Sequence, residues 1–258
     1  MGVALGSKFF SQKFFTTDEA VEWVAGNFAK ANLVYEQQLN FKLDIGHLYI
    51  AGYSGSPSWD QGPSCAMTID EQLHRFTEWE PPSEQGLWHL FDDCAFVHDN
   101  TIGLAWTGTL CDNDVMTTSN FPDLTGRFNK GVSWYTTAGA TWLTFAHEVG
   151  HNFGAQNSFE NGQGTTGGIM DYGDGTLDGV YQFNTEFRKA EMCETIQTAL
   201  YLGCPYINYE SSTFASAMLE MEPEGQELQG TLQWLSENGS SLPLNASAED
   251  VDRNPLLL

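Results

Sequence analysis

The sequence predicts an α/β fold. Val21, Val24, Phe28, Ala31 and Tyr35 recur at alternating spacings of three and four, which marks a long amphipathic helix over residues 17–39. Short apolar runs of strand length follow it and alternate with further stretches of helical period. A hydrophobic content of 41%, with 17 Phe and 8 Trp, provides the apolar surface of a packed globule. The 258 residues suffice for one sizeable domain, or for one domain and a tail.

Taken in order, residues 8–15 (Lys-Phe-Phe-Ser-Gln-Lys-Phe-Phe) are too apolar for a free tail and are expected to pack against the elements downstream of them. Thr16-Thr17-Asp18-Glu19 reads as a capping box that starts the long helix. Phe41, Leu43 and Ile45 alternate with polar residues, which predicts a strand that Gly46 interrupts before Leu48-Tyr49-Ile50. Residues 52–66, rich in Gly, Ser and Pro, form a loop. A second helix begins at Ile69 and is halted by Pro81-Pro82. Residues 87–91, 102–106 and 131–135 are strand candidates. Phe187, Ala190, Ile196, Ala199 and Leu200 place a last helix over about 185–202, ending near Gly203. Beyond Pro205 the composition turns acidic, with Arg253 the single basic residue. Residues 1–205 therefore form the domain, and 206–258 read as an acidic tail or linker, disordered by composition.

Charge and cysteine usage narrow the function. Thirty-four acidic residues against 10 basic ones give a formal charge of −24. Such a chain repels nucleic acid and anionic membranes and concentrates cations. No apolar run reaches membrane-spanning length. The five cysteines, Cys65, Cys94, Cys111, Cys193 and Cys204, include no CxxC pair. That spacing argues against a thiolate metal site and leaves disulfides or buried thiols, with one cysteine unpaired. Residues 1–7 lack the charged region and apolar core of a signal peptide. Asn238 and Asn245 begin glycosylation sequons.

The chemistry lies in Thr144-Phe145-Ala146-His147-Glu148-Val149-Gly150-His151-Asn152-Phe153-Gly154. His147 and His151 are four residues apart, so on a helix both imidazoles leave the same face and can occupy two corners of one zinc tetrahedron. Glu148 beside them has the place of a general base that takes a proton from an activated water and passes it to a leaving amine. Gly154 tolerates the left-handed dihedrals needed for the helix to stop and fold back. Downstream, Gly167-Gly168-Ile169-Met170-Asp171-Tyr172 has the look of a tight turn that sets a methionine beneath a metal. His47, His74, His89 and His98 are scattered and read as surface or core histidines. Asp92-Asp93 and Asp112-Asn113-Asp114 read as solvated loop acids.

These residues resemble the metzincin metalloproteases, and most of all their reprolysin (adamalysin or ADAM-type) branch. Gly103-Leu104-Ala105-Trp106-Thr107-Gly108 and Leu33-Val34-Tyr35-Glu36-Gln37-Gln38-Leu39 extend the likeness, which covers roughly residues 9–205. It implies a twisted mixed sheet with long helices, a zinc helix at the cleft and a smaller C-terminal subdomain after the Met-turn. It implies one catalytic zinc ion, protein or peptide substrates, and a secreted or cell-surface location. It implies, too, that the strand at 131–135 is the antiparallel edge along which substrate aligns. Cys111 and Cys204 stand where reprolysins have a disulfide; Cys65 with Cys94 would then leave Cys193 as the odd thiol.

Two positions depart from the pattern. Asn157 stands where reprolysins place a third histidine, and no histidine follows His151. The expected ligands are thus His147, His151 and Asn157, with Asp171 and Asp178 next in line. Tyr172, two residues after Met170, matches a tyrosine of astacin and serralysin Met-turns that hydrogen-bonds the tetrahedral intermediate. Gly175-Thr-Leu-Asp178-Gly-Val-Tyr181 resembles the GTxDxxY segment by which aspzincins supply an aspartate ligand. The leading function is a zinc-dependent endopeptidase; the alternative is an inactive metzincin-like binding module with a weakened zinc site.

Overall fold

A computed structural model describes residues 1–52, 56–98, 100–136 and 140–207. The tail expected over 206–258, with both sequons, lies outside the described residues from 208 onward. The chain begins with strand β1 (Gly2–Leu5), helix α1 (Ser7–Lys13), helix α2 (Thr17–Leu39) and strand β2 (His47–Ile50). Helix α3 (Ile69–Glu78) precedes strands β3 (Trp88–Asp92) and β4 (Gly103–Ala105). A small hairpin, β5 (Met116–Thr117) and β6 (Thr125–Gly126), leads to β7 (Lys130–Trp134) and helix α4 (Thr141–Asn152). A second hairpin, β8 (Thr176–Leu177) and β9 (Val180–Tyr181), and helix α5 (Lys189–Tyr201) complete it.

The main sheet has the order β2-β1-β3-β7-β4. Its strands run parallel except β4, which pairs antiparallel with β7. Alternation along the strands feeds two cores, as a period of two requires. Val3, Leu5 and Phe91 join α2, α4 and α5 on one face. Ala4, Trp88, Leu90, Val132 and Trp134 join α3 in an aromatic core on the other.

Three expectations change, and one element is new. Residues 1–7 carry β1, a strand inside the sheet whose four letters Gly-Val-Ala-Leu are too few to show a period. The strand foreseen over 41–50 shrinks to β2, because Asn32 on α2 takes both backbone groups of Leu43: Leu43 N donates to Asn32 Oδ1 (2.8 Å), and Asn32 Nδ2 donates to Leu43 O (2.9 Å). A residue so engaged has nothing left for a ladder. The strand at 131–135 lies inside the sheet between β3 and β4, and the antiparallel edge is β4. The last helix starts later than residue 185, at Lys189, after turns over 185–188.

Other features fall as foreseen. Thr16 caps α2 by accepting from Glu19 N (3.2 Å), while the Glu19 carboxylate accepts from Phe15 N (2.7 Å), one residue before the N-cap amide that a full capping box would engage. Disulfides join Cys65 to Cys94 and Cys111 to Cys204, with Cα separations of 5.5 and 6.0 Å, and Cys193 is a free thiol. No helix among the described residues is long and apolar enough to cross a membrane.

Candidate metal centre

Helix α4 lies against β7, β4 and α2, so eleven of its twelve residues are buried. Burial on every side suits a helix of Leu, Phe, Ala, Val and Gly, and it takes His147, Glu148 and His151 inside with it, each no more than 5% exposed. Buried polar groups need partners. His147 Nδ1–H donates to the carbonyl of Ile169 (2.7 Å), one residue before Met170. His151 Nδ1–H donates to the carbonyl of Ala155 (2.7 Å), just beyond the helix. A carbonyl can only accept, so both rings carry the proton on Nδ1 and turn the Nε2 lone pair outward.

The two Nε2 atoms then meet 3.0 Å apart, with the rings nearly perpendicular at 81°. Two acceptor nitrogens at that distance repel unless a cation lies with them. Burial, then the neighbouring His147 and Arg188, push the His151 imidazole down to about 3, so that ring is neutral and keeps a lone pair on Nε2. The tautomers, the convergence and the burial fit a metal ion. Among the described residues no group of three or more His, Cys, Asp and Glu gathers to hold one.

The structure brings Asn157 and Tyr172 to this place. Asn157 Nδ2 donates to Tyr172 Oη (3.4 Å), and the Tyr172 ring lies 6.1 Å from that of His147. Asn157 Oδ1 is buried without a hydrogen-bond partner among the described residues, so this amide carbonyl, a neutral oxygen donor, has no competing bond there. Tyr172 also packs edge-on against Phe159 (4.8 Å), so a packing role and a polar one coexist. The two reserve carboxylates are engaged elsewhere. Asp171 accepts backbone N–H bonds from Gly164 (2.7 Å), Gly167 (2.7 Å) and Tyr172 (2.8 Å), which makes it the organiser of the methionine turn. Asp178 and Gly179, both at positive φ (55° and 75°), form the exposed two-residue turn between β8 and β9. Asp-Gly in that conformation is a type I′ hairpin turn. The GTxDxxY likeness is therefore a hairpin.

Several supporting residues escaped the motif. Gly150, between the histidines, faces Met170: a Cβ there would lie 2.5 Å from Met170 Sδ. Gly103 on β4 faces Glu148, and a Cβ would collide with the carboxylate. Asn152 Nδ2 donates to Trp106 O (2.9 Å) and Lys130 O (3.0 Å), tying the end of α4 to the two strands beside it. Each is a contact across long sequence separation. Gly154 has φ 96°, as its motif position demands, and a Cβ on it would also strike Thr195 on α5. The other histidines stay apart: His89 is wholly buried against Ser133 Oγ (2.9 Å), His74 stacks on Trp106, and His98 Nε2 donates to Cys65 O (2.7 Å).

A mixed sheet, a helix carrying two converging imidazoles and a methionine turn beneath them are the plan of a metzincin-type domain. Residues 6–176 match the reprolysin-type Metallo-peptidase family M12. The chain belongs to that family, a family of proteases. It is 28% identical over 158 residues to "Disintegrin and metalloproteinase domain-containing protein B" of Aspergillus fumigatus, a stretch covering 57% of this chain and 19% of that protein. The proteins of the same name from Arthroderma otae and Trichophyton verrucosum are 30% and 28% identical over 140 and 138 residues, each stretch covering 48% of this chain and 17% of the relative. The matched region thus spans under a fifth of the length of these curated relatives.

Proposed function

We propose that this chain is a zinc-dependent endopeptidase domain in which His147, His151 and Asn157 hold the metal and Glu148 is the general base. The observation that carries the reading is the pair of Nε2 atoms turned toward each other by carbonyl bonds at both Nδ1 atoms. Zinc bound there supplies Lewis-acid polarisation of a carbonyl and of a water. Glu148 takes a proton from the attacking water on a carboxylate oxygen and returns it to the leaving amine. Its near-complete burial removes competing solvent, and Gly103 leaves the space that its carboxylate occupies. Tyr172, beside His147, offers its hydroxyl to the developing oxyanion. Peptides would align along the β4 edge, the one strand of the sheet that runs antiparallel to its neighbour. Two disulfides favour an oxidising, extracellular or cell-surface setting.

The test is Glu148→Gln in the zinc-loaded protein. Zinc content should persist, and casein or peptide cleavage should fall on the order of 100-fold or more, as for a removed general base. The alternative, a binding module with a weakened zinc site, rests on Asn157 alone; cleavage by the unmodified chain that Glu148→Gln abolishes would exclude it.

A further inference from the structure

We propose that Arg188 is a positioning residue that fixes Asn157 at the metal centre, an inference resting on the reading of Asn157 as a ligand. Arg188, the residue preceding α5, is 5% exposed, and a cation so far out of water persists only where it is paired. Its Nη1 donates to the backbone carbonyl of Asn157 (3.2 Å) and lies 3.4 Å from the Glu191 carboxylate. Its Nη2 forms an ion pair with Glu160. Glu191 in turn accepts from Gln156 N (2.9 Å). One guanidinium therefore ties down residues 156, 157 and 160, the whole segment beyond the turn at Gly154.

The reason to need such a clamp lies in the ligand. An asparagine side chain is shorter than a histidine and has two torsions, so its reach is decided by where the backbone of residue 157 sits. A planar fork of fixed donors sets the orientation of a carbonyl, which a flexible ammonium does not. The far end of the side chain is set separately, by the bond from Asn157 Nδ2 to Tyr172 Oη. The Glu160 and Glu191 carboxylates paired with Arg188 counter the guanidinium charge that reaches His151. Thirty-one residues separate Arg188 from Asn157, and no motif spacing links them.

The experiment measures zinc affinity by competition with a chromophoric chelator, and the visible spectrum of the cobalt(II)-substituted protein, in the full chain. The variants are Arg188→Leu, Arg188→Lys, Asn157→Ala and the double variant Arg188→Leu/Asn157→Ala. Arg188→Leu should weaken zinc by about 10–100-fold, as for a lost supporting group, and shift the cobalt bands. Arg188→Lys should lose less, and adding Arg188→Leu to Asn157→Ala should cost nothing more. Equal losses in both backgrounds would overturn the proposal, because Arg188 would then support the fold generally. Unchanged affinity in Arg188→Leu, with weakening in Asn157→Ala, would overturn it while leaving the ligand reading intact. No effect of Asn157→Ala would remove the ligand reading itself, and the proposal with it. Should Arg188→Leu fail to fold, Arg188→Lys in both Asn157 backgrounds is judged by the same criterion.

Discussion

Lys130 provides a sharp test of the packing behind the site. It lies on β7, fully buried, with Nζ 5.0, 5.3 and 5.7 Å from the ring centroids of Phe76, Trp79 and Trp88. Ring faces return roughly 0.5–2 kcal/mol to a cation. That is less than burial costs, and burial, followed by the Arg127 charge, pushes the amine down from 10.5 to about 7. In the unfolded chain Lys130 keeps its proton to about pH 10.4. Between these values the unfolded state binds the extra proton, so stability rises with pH at about 1.4 kcal/mol per pH unit. Below pH 7 both states are protonated and the penalty is at its full size, about 5 kcal/mol; above the unfolded value it is gone. Lys130→Met removes the charge and keeps a long flexible side chain among the rings. The variant should therefore be more stable than the parent at neutral pH, with a lead that shrinks by about 2.7 kcal/mol between roughly pH 7.5 and 9.5. Denaturant unfolding of both proteins, disulfides intact and zinc equal, measures the difference, in which every other titrating group cancels. Parallel stability profiles would refute the reasoning and show that the rings keep Lys130 charged.

Asn157→Ala should weaken zinc by about 10–100-fold or more, and Asn157→His should tighten it, since imidazole is the stronger donor; equal affinities in all three proteins would remove Asn157 from the site. Gly150→Ala drives a methyl group into Met170 Sδ, so unfolding free energy should drop by about 1–3 kcal/mol and zinc binding should loosen with the displaced turn. An unchanged denaturant midpoint would mean that Met170 is not confined there.

The sequence alone determined what depends on neighbours along the chain. The long helix over 17–39 comes from its apolar period and its cap, and the pairing of His147 with His151 comes from a spacing that any helix converts into one face. The turn at Gly154 comes from the residue that best tolerates positive φ. Strands 88–92 and 103–105 were legible as apolar runs, but their places in the sheet were not, and the edge fell to β4 instead of β7. Residues 41–46 carry a strand's alternation, yet a side chain on another element claimed the backbone of Leu43. The tertiary structure alone decided which atoms meet at the candidate metal centre. Ile169 O and Ala155 O fix the imidazole tautomers, Gly103 and Gly150 leave room for Glu148 and Met170, and Asp171 turns its carboxylate to three backbone amides instead of a metal. Hydrogen bonds and close packing join residues by distance in space, and the pattern of a sequence records only distance along the chain.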